Sequence, residues 1–162
     1  MKLNFGCGTN KIDRFVNIDK YEELEPDLTV DLEKFPLPFE DEVVEQITML
    51  HFLEHICPNV EDYKKFWQEI YRICKNNAQI FIEVPYYDHW THKADPTHVR
   101  NIHPMGLQMM DQERNMNDPF QTETKLGLLW GVNFKLTEVI LGYDVTFEPL
   151  SYRCTLEKLE LN

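Results

Sequence analysis

Two short apolar runs joined through a glycine turn constrain this chain more than any other feature. Met1-Lys-Leu-Asn-Phe-Gly-Cys-Gly8 carries its run into Gly6-x-Gly8, and Phe15-Val-Asn-Ile18 ends in Asp19. The pattern predicts strand Lys2–Phe5, a turn, strand Val16–Asp19 and an acid at the strand tip. Glycines in such a turn let the backbone pass close under a ligand, because no Cβ is in the way. A carboxylate at the end of the next strand has the geometry to accept both hydroxyls of a ribose. A tight turn followed by a surface acid explains the same stretch equally well.

Further along, 29–31 reads as a short third strand, and Pro36-Leu-Pro38 excludes a regular helix. Residues 43–50 read as a fourth strand. Pro58-Asn59 then opens a helix, with Asn59 as N-cap and Asp62 in its first turn. Apolar residues at Val60, Tyr63, Phe66, Trp67, Ile70, Tyr71, Ile73 and Cys74 give it one sheet-facing side. Asn76-Asn77 is the expected stop, in the left-handed region. A fifth strand follows at 79–84, and two more are expected near 133–143 and 152–161. Residues 86–131 read as irregular. Strands alternating with crossovers imply an α/β fold with a mainly parallel, doubly wound sheet. The reading is one domain over 1–162, with a ligand-binding half at 1–85, a substrate-side segment at 86–131 and terminal strands at 132–162.

The chain has 162 residues, enough for one domain with a sizeable core. Its net charge of -12 argues against nucleic acid as the main partner, since gripping phosphates needs a basic face. No apolar run is long enough to enter and span a bilayer, and no signal-peptide core follows Lys2, so a cytoplasmic location is expected. Cys7, Cys57, Cys74 and Cys154 lack paired spacing, which predicts reduced, buried thiols rather than a zinc knuckle or a disulfide frame.

The order of segments resembles a known family. Leu3-Asn-Phe-Gly-Cys-Gly8, the strand ending in Asp19, Asp31-Leu32, Leu37-Pro-Phe39 and His51-Phe-Leu-Glu-His55 follow one another as in the class I S-adenosylmethionine-dependent methyltransferases, in particular the small type-11-like group. The resemblance covers residues 1 to about 85 well and the rest loosely. It implies a minimal Rossmann-like methyltransferase fold with a C-terminal antiparallel hairpin, here without the usual N-terminal helices. The implied cofactor is S-adenosyl-L-methionine, held by Asn4, Phe5, Gly6, Cys7, Gly8, Asp19, Lys20, Asp31, Leu32 and His51. Asp19 would take the ribose, and Asp31 with the Leu32 backbone the adenine edge; a strand-end cap is the plain alternative for Asp31. Asn4 departs from the Asp or Glu common at its position. Lys11 stands where a dinucleotide fold would carry its third glycine, which favours this family over a nicotinamide enzyme.

His51-Phe-Leu-Glu-His55 also spells the inverted zincin string, but it follows directly on a strand and Pro58 leaves only a stub of helix. The resemblance puts His51 at the lip of the site, facing the methyl group or the substrate, with Glu54 and His55 holding the loop. A second group, His89, His92, His98 and His103 with Asp88 and Asp95, suits three roles: structural histidines in a solvated loop, a substrate surface, or a divalent metal site. Asp95-Pro-Thr-His-Val-Arg100 resembles a substrate-side segment of small, phage-like methyltransferases. The expectation is therefore His51 and His98 as catalytic residues and no assigned metal ligand. The acceptor would be a small molecule or a glycan, and an open site edge leaves room for a homodimer. The rival readings are a non-catalytic domain of the same fold and, further off, a metal-dependent hydrolase.

Overall fold

Apolar side chains on both faces of the short central strands dictate a sheet covered on two sides, as in parallel α/β architecture. The computed structural model describes residues 1–118 and 123–161. Strands β1 (Lys2–Phe5), β2 (Val16–Asp19), β3 (Leu28–Thr29), β4 (Val44–Leu50), β5 (Cys74–Pro85), β6 (Phe134–Tyr143) and β7 (Pro149–Lys158) form one sheet in the order β3-β2-β1-β4-β5-β7-β6. The pairs among β1 to β5 are parallel, whereas β7 runs antiparallel to both β5 and β6. The expected C-terminal hairpin is therefore present, with β7 inserted between β5 and β6. Leu3 and Phe5 of β1 are fully buried, as are Ile18 and Ile47 on the strands beside it.

Helix α1 (Val60–Ile73) carries the β4-to-β5 crossover. The Asn59 side chain caps it by accepting from the Asp62 N–H at 2.9 Å. Phe66, Trp67, Ile70 and Ile73 form the buried face, and the Trp67 ring lies 5.4 Å from that of Phe134 on β6. Val60, expected on that face, is exposed. It lies in the first turn and borders a groove shared with Arg100 and Leu126 instead of the sheet. The helix also stops earlier than Asn76-Asn77. Cys74 donates its N–H to the Ile70 carbonyl and turns straight into β5. Asn77 does adopt φ 64°, but inside β5, where the β4 register jumps from Val44↔Cys74 to Gln46↔Gln79. The left-handed residue absorbs a bulge rather than ending a helix.

Residues 86–131 are more ordered than expected. They hold α2 (Trp90–Ala94), α3 (Pro104–Gln108), α4 (Gln112–Asn117) and α5 (Leu126–Trp130). Residues 119–122 of this segment, and Asn162 at the end of the terminal strands, lie outside the described residues. Side chains start three of these helices: His89 accepts from Thr91 N–H, His103 from Met105 N–H and Asp111 from Arg114 N–H. Gly127 fits tightly here, because a Cβ would lie 2.6 Å from the Met110 carbonyl oxygen. All four cysteines are free and buried, as expected. Among the described residues no helix is long and apolar enough to cross a membrane.

Candidate active site

The C-terminal ends of parallel strands open into a cleft because the connections leave in different directions there. Here the cleft has a volume of about 410 Å³, and its walls include Gly6, Asp19, Lys20, Asp31, Leu32 and His51. Six of the residues expected to hold a cofactor thus meet around one space. Gly6 sits at φ +62°, and a Cβ there would come within 2.2 Å of Phe52 Cδ2. The turn passes under Phe52 only because residue 6 has no side chain. Asp19 is held by two backbone N–H groups, Gly8 to Oδ2 at 2.9 Å and Tyr21 to Oδ1 at 3.1 Å. Each carboxylate oxygen keeps a further lone pair for an incoming hydroxyl. Asp31 lines the cleft, and its Oδ1 accepts from Glu33 N–H at 3.1 Å.

Four expected cofactor contacts are placed differently. The Asn4 side chain is buried, and its Nδ2 donates to the Asn10 carbonyl and to Asn17 Oδ1, each at 2.9 Å. It braces the turn from behind, since both of its amide protons are engaged within the chain. Phe5 points into the core. Cys7 is buried, and burial with the nearby Asp19 pushes its thiol pKa up. Gly8 does not line the cleft, and its N–H is engaged by Asp19. Tyr21, beside Lys20, also borders the cleft; what was missed is Val30, Glu33, Phe52, His55, Ile56 and Thr97, which border it too. Tyr21 and Phe52 flank residues already singled out. Thr97 arrives from a distant loop that local spacing cannot position.

His51 stands at the lip, as expected. It adopts φ 50°, and its N–H donates to the Glu83 carbonyl at 2.8 Å, which turns the chain sharply off β4. Nδ1 lies 3.6 Å from Glu54 Oε1 and Nε2 3.9 Å from Glu83 Oε1. The Glu54 carboxylate is the main reason the His51 pKa is raised, against the opposing effect of burial. Glu54 and His55 tie the loop down: the Glu54 carbonyl accepts from Val99 and Arg100 N–H, and His55 Nδ1 meets Thr97 Oγ1 at 2.9 Å.

A second cavity of about 400 Å³ adjoins the cleft and shares His51 and His55 with it. Glu54, Glu83, Thr91, Asp95, His98 and Ser151 complete its polar wall. His98 therefore reaches the neighbouring space rather than the strand-end cleft. Of the remaining segment histidines, His89 and His103 cap helices, and His92 is buried with Nε2 2.6 Å from Asn101 Oδ1. Residues 95–100 are clamped to α1 by the Arg100 guanidinium 3.8 Å above the Tyr63 ring.

Residues 13–82 match the family model described as a methyltransferase domain, a span shorter than half of the chain. No curated protein matches the chain by sequence. Solved structures share its fold. A SAM-dependent methyltransferase from Archaeoglobus fulgidus is 16% identical, with a TM-score of 0.69 over 97% of this chain and 85% of its own. One from Methanosarcina mazei is 16% identical, with a TM-score of 0.58 over 99% and 92%. One from Mesorhizobium loti is 10% identical, with a TM-score of 0.58 over 97% and 90%. The fold is thus the Rossmann-like methyltransferase fold, and S-adenosylmethionine is the expected cofactor. Nothing in these likenesses supports a metal-dependent hydrolase.

Proposed function

We propose that this chain, a class I S-adenosylmethionine-dependent methyltransferase by its matched domain and its fold, methylates a small-molecule or glycan acceptor admitted through the second cavity. The observation that carries this reading is the pair of adjoining spaces. One is lined by a bare glycine turn, Asp19 and Asp31; the other is walled by polar groups, with His51 standing between them. Asp19 and Asp31 would hold the adenosine. The cofactor would supply an electrophilic methyl group, whose transfer to the acceptor's lone pair would leave S-adenosylhomocysteine. His51 takes the acceptor's proton, and His98 helps to wall the acceptor. Alignment of nucleophile and methyl supplies much of the acceleration, so little acid–base apparatus is needed.

A net charge of -12 disfavours a nucleic-acid acceptor, and we place the protein in the cytoplasm. Calorimetric titration of S-adenosylmethionine into wild type and Asp19→Asn tests the cofactor half of this proposal. Micromolar binding that weakens roughly tenfold or more in the variant is expected, as for loss of a hydrogen bond to a charged group. The absence of binding to wild type would refute it and favour a non-catalytic domain.

A further inference from the structure

Glu54 is almost wholly buried, and among the described residues neither of its carboxylate oxygens has a hydrogen-bond partner. Its nearest charged neighbour is His51 Nδ1 at 3.6 Å, an ion pair beyond hydrogen-bond length. A buried carboxylate in this condition is costly unless a cation meets it. One ligand atom each from Glu54, His55 and His98 lies within 4.8 Å of the others, and all three residues wall the second cavity.

The hydrogen bonds fix how the two rings present themselves. His98 Nδ1 lies 2.9 Å from the His92 carbonyl, which only accepts, so Nδ1 carries a proton and Nε2, 3.6 Å from Asp95 Oδ2, is the nitrogen that can ligate. The Thr97 hydroxyl donates to Asp95 Oδ1 at 2.6 Å, so its oxygen accepts from His55 Nδ1 at 2.9 Å. His55 Nε2 is therefore left with its lone pair. Histidines that ligate metals are held in this way, with the second ring nitrogen donating to a carbonyl or through a relay to a carboxylate. Two imidazoles and one carboxylate suit a divalent first-row transition ion and leave coordination positions open.

We propose that Glu54, His55 and His98 bind one divalent transition-metal ion at the wall of the second cavity, with its open positions facing the acceptor space. Tetrahedral coordination at ~2.1 Å from each ligand puts ligand atoms roughly 3.4 Å apart, so small rotations of the rings complete the site. A metal there would hold an acceptor oxygen beside His51. That use rests on the methyl-transfer reading, whereas metal binding does not.

The test is calorimetric titration of zinc chloride into protein freed of metal with a chelator, followed by S-adenosylhomocysteine in the same cell. Wild type is expected to take one equivalent of zinc. Glu54→Gln and His98→Ala are each expected to weaken binding by at least about tenfold. His89→Ala serves as control, because His89, Asp144 and Glu148 form a separate grouping. It is expected to keep the zinc affinity of wild type. Should Glu54→Gln fail to give the wild-type circular dichroism spectrum, His55→Ala, whose ring is partly exposed, decides in its place with the same expected loss. No zinc binding by wild type, unchanged affinity in these variants, or loss in His89→Ala alone would overturn the proposal. Zinc binding without S-adenosylhomocysteine binding would leave the metal site standing and remove the methyltransferase reading.

Discussion

The strand-end cleft and the segment at 86–131 both depend on a glycine that tolerates no side chain, but for different reasons. At Gly6 an added Cβ meets Phe52, a cleft-lining ring, on a backbone at φ +62°. At Gly127 it meets the Met110 carbonyl oxygen inside a knot of short helices. The first constraint keeps space for a ligand, and the second keeps a wall in place. The same division runs through the polar groups. Asp19 spends its oxygens on two backbone N–H groups and still borders the cleft, whereas His89, His92 and His103 are consumed by caps and buried contacts.

Four variants test this division. The largest effect is expected from Gly6→Ala, which forces Phe52 to move and strains a left-handed backbone by about 1 kcal/mol or more. Calorimetry should show S-adenosylmethionine binding weakened at least a hundredfold, and Phe52→Ala added to Gly6→Ala should restore part of it. Gly127→Ala should cost about 1–3 kcal/mol by overpacking, read as a lowered urea midpoint, with cofactor affinity within twofold of wild type. Loss of cofactor binding in Gly127→Ala would erase the distinction between the two regions. Asn59→Ala removes the cap of α1 and should cost about 1 kcal/mol, again with affinity unchanged.

The smallest effect concerns pH. The His51 pKa is raised in the folded state by Glu54, so the pair stabilises the fold below the unfolded value of about 6.5. That contribution is lost as pH rises through the raised folded pKa. His51 is about half exposed, so solvent screening keeps the contribution under about 1 kcal/mol. Proton NMR titration should show the His51 pKa above that of a free imidazole, falling toward it in Glu54→Gln. If His51 is the base, the rising limb of the rate profile should move to lower pH with it.

These contrasts also explain what the sequence revealed. The first half was legible because its signals are local. A glycine turn, an acid at the next strand tip and an amphipathic helix each lie within a few residues, and Asp19, Asp31 and His51 fall where those signals place them. Asn4 lies just before the turn, and Asn10 and Asn17 take both of its amide protons, a pairing that spacing does not reveal. The segment at 86–131 was not legible as helix, since five- and six-residue helices show no clear 3.6-residue period. Thr97 and His98 reach the site through contacts with residues about forty positions earlier, such as Thr97 with His55. Spacing along the chain carries no record of such pairings.

The most direct test of the account is a crystal structure of the protein with S-adenosylhomocysteine. The account predicts the ribose hydroxyls on Asp19, the adenine beside Asp31 and Leu32, and the sulfur within reach of His51 at the mouth of the second cavity. A ligand bound in the groove between Val60, Arg100 and Leu126, or a cleft that stays empty at saturating ligand, would contradict it.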